Sequence, residues 1–263
     1  MCRFAGFLGE AIAPAVLLYD GSHSLEVQSY RPRELLDGHV NVDGYGVAWY
    51  PGAKPVRIAE ARPLWHDSDL EPLLRSVRST AVLAAVRNTT PGIPVDRTGV
   101  PPLVHGRWSF ALNGFVSDFR RRAMRRFHER LSDSIYASLR GASDTEALFL
   151  LFLDAVRSGR SPVEAMRDLI HTTVRITEPL ETRLQLNLLA SDGERLLATR
   201  MGSSPRQNTL YIARRYPASG PAGTVISSEP LDDPAGWDAV PEASLVEVEE
   251  GGSSVRISAL EPE

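Results

Sequence analysis

Met1-Cys2-Arg3-Phe4-Ala5-Gly6-Phe7-Leu8 opens the chain, and Cys2 is its only cysteine. Residues Cys2 to Leu8 read as a first strand. Removal of Met1 would leave a free α-amine and a thiol on the same residue. Such an amine titrates near ~7.7–8 and a thiol near ~8.5, so the amine can take the thiol proton at neutral pH. The sulfur then needs no distant histidine to activate it. On that reading, the rest of the chain is a scaffold that delivers a carbonyl to residue 2. The alternative is a small apolar side chain that packs and does no chemistry.

A chain of 263 residues, 43% hydrophobic and 24% charged, has the composition of an ordinary globular protein with room for a sizeable core. We expect one domain over 2–263, because no linker, repeat or low-complexity tract interrupts it. A net charge of −4 gives no pull toward nucleic acid or a membrane surface. A single cysteine excludes an internal disulfide and a cysteine-rich metal site, which suits the cytoplasm. Gly9, Glu10 and Pro14 interrupt the early apolar residues, so neither a secretory signal nor a membrane span is expected.

Strand-like runs follow the first one at Val42 to Tyr50, Val56 to Arg62, Ala81 to Arg87 and Trp108 to Asn113. Asp69 to Val77 reads as a short helix. Phe119, Ala123, Met124, Phe127 and Leu131 recur at helical spacing. Ser143 with Glu146, and Ser161 with Glu164, have the spacing of capping boxes, and Pro162 sits in the first turn of the second. The body Ala147 to Val156 is apolar almost all round, which predicts burial between layers. Strands then return at Arg183 to Ser191 and Arg195 to Arg200, around Asp192-Gly193, a type I′ hairpin signal. Further runs are Leu210 to Ala213, Thr224 to Ser227, Ser244 to Val248 and Val255 to Leu260. Strands, helices, then strands predict an α+β fold of antiparallel sheets covered by helices.

Four segments besides Cys2 can carry chemistry. Arg87, at the end of a buried-looking strand, either grips a carboxylate with its fork or marks the strand's exit to solvent. Asn113-Gly114 offers a side-chain amide and a backbone N–H that can converge on one oxygen, or it is simply a turn. Asp144, in a first helical turn, can accept a ligand ammonium group or belong to an ordinary cap. Asp43-Gly44-Tyr45-Gly46 places two glycines in a strand, a sign of close backbone approach.

The ordered set Cys2, Asp43-Gly44-x-Gly46, Arg87-x-x-Thr90, Asn113-Gly114 and Ser143-Asp144-Thr145-Glu146 resembles the class II glutamine amidotransferases, which are N-terminal-nucleophile hydrolases. Ser227-Ser228-Glu229-Pro230-Leu231 resembles a late segment of the same group. The resemblance implies a four-layer αββα sandwich. It implies that Cys2 attacks a γ-glutamyl carbonyl to form a thioester and that Asn113 and Gly114 hold the oxyanion. It implies that Arg87, helped by Thr90, binds the α-carboxylate and that Asp144 binds the α-amine. No metal and no cofactor are implied.

The residues after the Asp144 motif read as the remainder of the same sandwich, with no length for a synthase domain. Ser24 to Arg33 and Asn41 to Tyr50 resemble the standalone γ-glutamyl hydrolases of ergothioneine biosynthesis, which act on γ-glutamyl-hercynylcysteine sulfoxide. Ser22 to Arg33 and Tyr45 are then candidate contacts for the leaving group. The expected partner is a small γ-glutamyl substrate, and the sequence leaves a homodimer open. The arginines from Arg120 to Arg130 read as a solvated helical face, with a carboxylate-rich partner as the alternative. Two other functional readings stand beside hydrolysis: a glutaminase subunit feeding ammonia to a separate synthase, and a non-catalytic scaffold.

Overall fold

The computed structural model describes residues 2–36, 38, 40–89, 95–218 and 220–260. Its strands are β1 (Arg3–Ile12), β2 (Gly44–Trp49), β3 (Val56–Glu60), β4 (Ser79–Arg87), β5 (Leu103–His105), β6 (Trp108–Val116), β7 (Leu184–Ser191), β8 (Leu196–Arg200), β9 (Tyr211–Tyr216), β10 (Gly223–Ser227), β11 (Asp238–Ala239), β12 (Ser244–Glu249) and β13 (Ser254–Ala259). Its α-helices are α1 (Leu25–Tyr30), α2 (Leu70–Ser76), α3 (Met124–His128), α4 (Asp133–Tyr136), α5 (Asp144–Arg157) and α6 (Pro162–Thr177).

Among the described residues the strands form two antiparallel sheets. One has the order β11-β9-β10-β1-β4-β2-β3 and the other β13-β12-β8-β7-β6-β5. The pleat of β1 shows how they stack. Phe4 and Leu8 enter an apolar layer shared with Leu83, Ala111, Leu189, Ile226 and Val246, which lies between the sheets. Ala5 and Phe7 face the opposite way, into a layer with Leu17, Leu25, Leu70 and Leu74 from the helical cover. On the far side of the second sheet, Phe110, Leu112, Leu186 and Leu188 pack against Leu148, Phe152, Met166 and Ile170 of α5 and α6. Helix, sheet, sheet, helix is the expected αββα sandwich, an α+β fold. Covering both faces explains why β1 and β4 read as nearly unbroken apolar runs rather than alternating ones. Each fully buried Leu or Phe in these layers contributes roughly 1.5–3 kcal/mol.

Several local expectations change. The Asn113-Gly114 pair is no turn, because β6 runs through it to Val116. The Asp192-Gly193 connection is not type I′, which needs positive φ at both central residues. Only Gly193 has it, at 91°, and Ser191 pairs with Leu196 across a four-residue loop. Asp192 stabilises that loop by accepting the Glu194 and Arg195 amides at 3.1 and 3.0 Å. Ser161 and Glu164 form the full capping box. Ser143 accepts the Glu146 amide, but the Glu146 carboxylate turns outward to the amides of Arg140 and Gly141, both at 2.8 Å. The helix expected from Phe119 begins as a π-helical turn, Phe119–Ala123. The close approach predicted at the strand glycines is made by the chain itself: a Cβ on Gly46 would lie 2.4 Å from the Pro101 carbonyl oxygen.

Candidate active site

The site grows from the head of β1. Arg3 lies opposite Val86 in the β1–β4 ladder, so Cys2 stands level with Arg87 at the end of β4. Strand alternation puts Cys2 on the same face as Phe4, the face that looks between the sheets. Cys2 is half-buried there.

The facing sheet presents Asn113. Its Nδ2 donates to Ser228 Oγ at 3.2 Å, and the same oxygen accepts the Phe4 amide at 3.1 Å. One hydroxyl therefore joins the start of β1 to Asn113. Gly114 follows on β6, with its edge chosen by strand geometry. Its partner Leu186 donates its amide to Met201 at 2.7 Å, toward β8. Residues 114 and 186 are thus a non-hydrogen-bonded pair, and the Gly114 N–H points off the opposite edge of β6. A side chain is excluded at this position, since a Cβ would sit 1.8 Å from the Gln185 oxygen.

Val116 presents its amide on that same edge, and Asp144 Oδ2 accepts it at 3.0 Å. Two residues of strand separate the Gly114 and Val116 amides, about 7 Å. Asp144 is the first residue of α5, and its Oδ1 accepts the Thr145 amide at 2.8 Å. Burial pushes its carboxyl above the ordinary 3.8, while the Val116 and Thr145 bonds and the Arg87 charge pull the other way. The guanidinium of Arg87 is buried. It lies against Gly99, where a Cβ would come within 3.1 Å of Nη2, and its Nη1 donates to the Asp96 carbonyl at 3.4 Å. Among the described residues no salt bridge closes Arg87 onto Asp144. A fixed cation and a fixed carboxylate thus sit within each other's field without neutralising one another.

The structure therefore gathers Cys2, Arg87, Asn113, Gly114 and Asp144 around the open edge of β6 and the ends of β1 and β4. Thr90 lies outside the described residues. Tyr45 does not join them: its ring is buried under the outer helices and its hydroxyl donates to Asp67. Residues Ser22 to Arg33 form α1 and the chain on either side of it, which wraps around Glu229.

The role of that last residue is the feature sequence reading missed. The Glu229 carboxylate accepts Arg3 Nε and His23 Nε2, each at 2.7 Å, and the amides of Arg33 and Glu34 at 2.8 and 3.1 Å. Burial alone would raise its pKa, but His23, Arg3 and the two amides outweigh burial and hold it at about 2. Arg3 Nη1 in turn donates to the Cys2 carbonyl at 3.3 Å. An arginine inside an apolar first strand was the available signal, because a buried cation calls for a carboxylate somewhere in the chain.

Among solved structures, a glutamine aminotransferase class-II domain protein from Silicibacter pomeroyi superposes with a TM-score of 0.69 at 24% identity, covering 99% of this chain and all of the other. The fold is that of the N-terminal-nucleophile hydrolases. Residues 19–223 match the model of the class-II glutamine amidotransferases, and the chain belongs to that family. It is 35% identical over 261 residues to the gamma-glutamyl-hercynylcysteine sulfoxide hydrolase of Mycobacterium tuberculosis, covering 99% of this chain and 97% of that one. The hydrolase of the same name from Mycolicibacterium smegmatis is 32% identical over 249 residues, covering 94% and 96%. The chain is an amide-cleaving enzyme of this family. Among the described residues no helix is long and apolar enough to cross a membrane.

Proposed function

We propose that this chain hydrolyses a γ-glutamyl amide through a thioester on Cys2 and releases glutamate, with γ-glutamyl-hercynylcysteine sulfoxide as the substrate. The observation that carries the reading is the placement of Asp144 and Gly114 on one edge of β6, opposite a buried Arg87 level with Cys2. A zwitterionic glutamyl head needs one fixed anion and one fixed cation, and its γ-carbonyl must then reach both sulfur and an oxyanion donor.

With Met1 removed, the α-amine of Cys2 takes the thiol proton and Sγ attacks the γ-carbon. Asn113 Nδ2 and the Gly114 N–H receive the negative oxygen. The tetrahedral species collapses by breaking the C–N bond, and the proton on the α-amine passes to the departing nitrogen. The thioester remains. The same amine then takes a proton from water, which attacks the thioester carbon, and glutamate leaves as Cys2 regains its proton. Arg87, with Thr90, holds the α-carboxylate, and Asp144 holds the α-ammonium. The leaving group is assigned from the two mycobacterial relatives, which are similar over nearly their whole length. We assign the activity to a single domain over 2–263 working in the cytoplasm, with a homodimer compatible with the fold.

The test is glutamate release by Met1-processed protein from the γ-glutamyl sulfoxide conjugate, compared with free glutamine. Preference for the conjugate supports the proposal. Turnover of glutamine alone would overturn the substrate assignment and leave amide hydrolysis standing.

A further inference from the structure

The polar contacts of Asn113 lead to a residue outside the five assembled above. Asn113 is completely buried, and an oxyanion donor there must present an N–H rather than its carbonyl oxygen to the site. Rotating the amide by half a turn would exchange the two. Ser228, also completely buried, holds one side of that amide. Its Oγ already accepts the Phe4 amide at 3.1 Å and takes one Nδ2 proton of Asn113 at 3.2 Å. On the other side, Asn208 Nδ2 donates to the Asn113 main-chain oxygen at 3.1 Å and approaches Oδ1 at 3.5 Å. A flipped Asn113 would still meet Ser228, whose hydroxyl can donate as well as accept, but it would bring its NH2 against the Asn208 NH2. Asn208 therefore selects the orientation and Ser228 holds the amide in it. The second Nδ2 proton is left for the site.

Ser228 is itself anchored to the nucleophile's strand. Its amide donates to the Phe4 carbonyl at 3.0 Å, and its neighbour Glu229 holds Arg3 at 2.7 Å. The hydroxyl that holds the amide is therefore referenced to a strand residue two positions from Cys2.

We propose that Ser228 is a positioning residue that holds the side-chain amide of Asn113 in place for oxyanion donation and registers it against Cys2. The proposal rests on the oxyanion role of Asn113. Losing one neutral hydrogen bond changes an equilibrium by roughly 3–10-fold, so Ser228→Ala should lower kcat by about that factor and leave KM unchanged.

The experiment is a double-mutant cycle with Asn113→Ala in the full-length, Met1-processed protein, read as kcat and KM on the γ-glutamyl substrate. The rate of Cys2 alkylation by iodoacetamide is measured alongside. If Ser228 acts through Asn113, its effect on kcat vanishes in the Asn113→Ala background and alkylation proceeds at the wild-type rate. An equal kcat loss in both backgrounds, or slowed alkylation, would show that Ser228 only holds β1 and would overturn the proposal. Full kcat in Asn113→Ala alone would instead remove the oxyanion reading, and the role of Ser228 with it.

Discussion

Asp144 and Val116 are joined by a 3.0 Å hydrogen bond from the strand amide to the carboxylate, and that bond fixes the helix α5 to the edge of β6 that carries Gly114. The proposed anchor for a substrate ammonium and the proposed donor for an oxyanion are therefore set along one rigid strand rather than on separate loops. Their spacing follows from the rise of a strand, two residues or about 7 Å.

The protonation of Asp144 should govern the acid side of activity. Burial raises its pKa above the ordinary 3.8, so the carboxylate is lost at a higher pH than an exposed aspartate would lose it. Only the ionised form attracts an ammonium. As pH falls, KM should rise above the pH range of an ordinary aspartate, while kcat at saturation changes less. Asp144→Asn should raise KM by roughly 10–100-fold and remove that acid limb. An acid limb of unchanged position in Asp144→Asn would sink the assignment.

Arg87 and Asn113 should separate kinetically. In the role proposed for it, Arg87 makes a charge-assisted contact to a carboxylate present in ground and transition states alike, and Arg87→Ala removes it. The change should cost roughly 1.5–3 kcal/mol, seen mainly in KM. In the proposed oxyanion role, Asn113 is a donor used only when the oxygen becomes negative, so Asn113→Ala should lower kcat by about 10²–10³ with little change in KM. Steady-state kinetics of the two variants on one substrate decide the matter. The reverse pattern would exchange or eliminate the roles.

Cys2→Ala should abolish hydrolysis without unfolding the protein, because residue 2 precedes the ladder that begins at Arg3. A glutamine-mimicking electrophile should add to residue 2 of wild type, seen as a mass shift, and leave Cys2→Ala unmodified. Full turnover by protein that retains Met1 would remove the α-amine from the mechanism.

Glu229 should set part of the acid stability. Its folded pKa, about 2, lies below its ordinary 4.5. A depressed carboxylate stabilises the fold fully above its unfolded pKa, and that stabilisation is lost as pH falls through the folded value. Between pH 4.5 and 2 the melting temperature of wild type should therefore drop more steeply than that of Glu229→Gln. At pH 7 the variant leaves Arg3 buried without its counter-charge, a loss of roughly 3–5 kcal/mol. Parallel melting curves across the acid range would refute the charge state assigned to Glu229.

Local patterns told much of this in advance. The runs Cys2 to Leu8 and Ala81 to Arg87 became the central strands Arg3–Ile12 and Ser79–Arg87, and Ser161-Pro162 and Glu164 became a helix start, because periodicity and capping act between near neighbours. The short strand Leu103–His105 and the helix Leu25–Tyr30 were not readable: each is too short for a period to declare itself. Asn113-Gly114 looked like a turn because local propensity favours one, and pairing with Asn187 and Leu186 overrode it. Tyr45 stood beside promising glycines, but the pleat sent it to the outer face.

By itself the sequence determined antiparallel sheets covered by helices and the residue types able to do amide chemistry, since hydrophobic spacing and side-chain functional groups are properties of short segments; the αββα layering came from the family resemblance. The tertiary structure alone decided that Arg3, His23 and two distant amides meet on Glu229, that Ser228 stands between Phe4 and Asn113, and that the Gly114 N–H points off the edge where Asp144 is bound. Those are contacts between residues up to 226 positions apart. They are set by sheet register and by the demand that every buried charge and donor find a partner, and neither is encoded within any one stretch of chain.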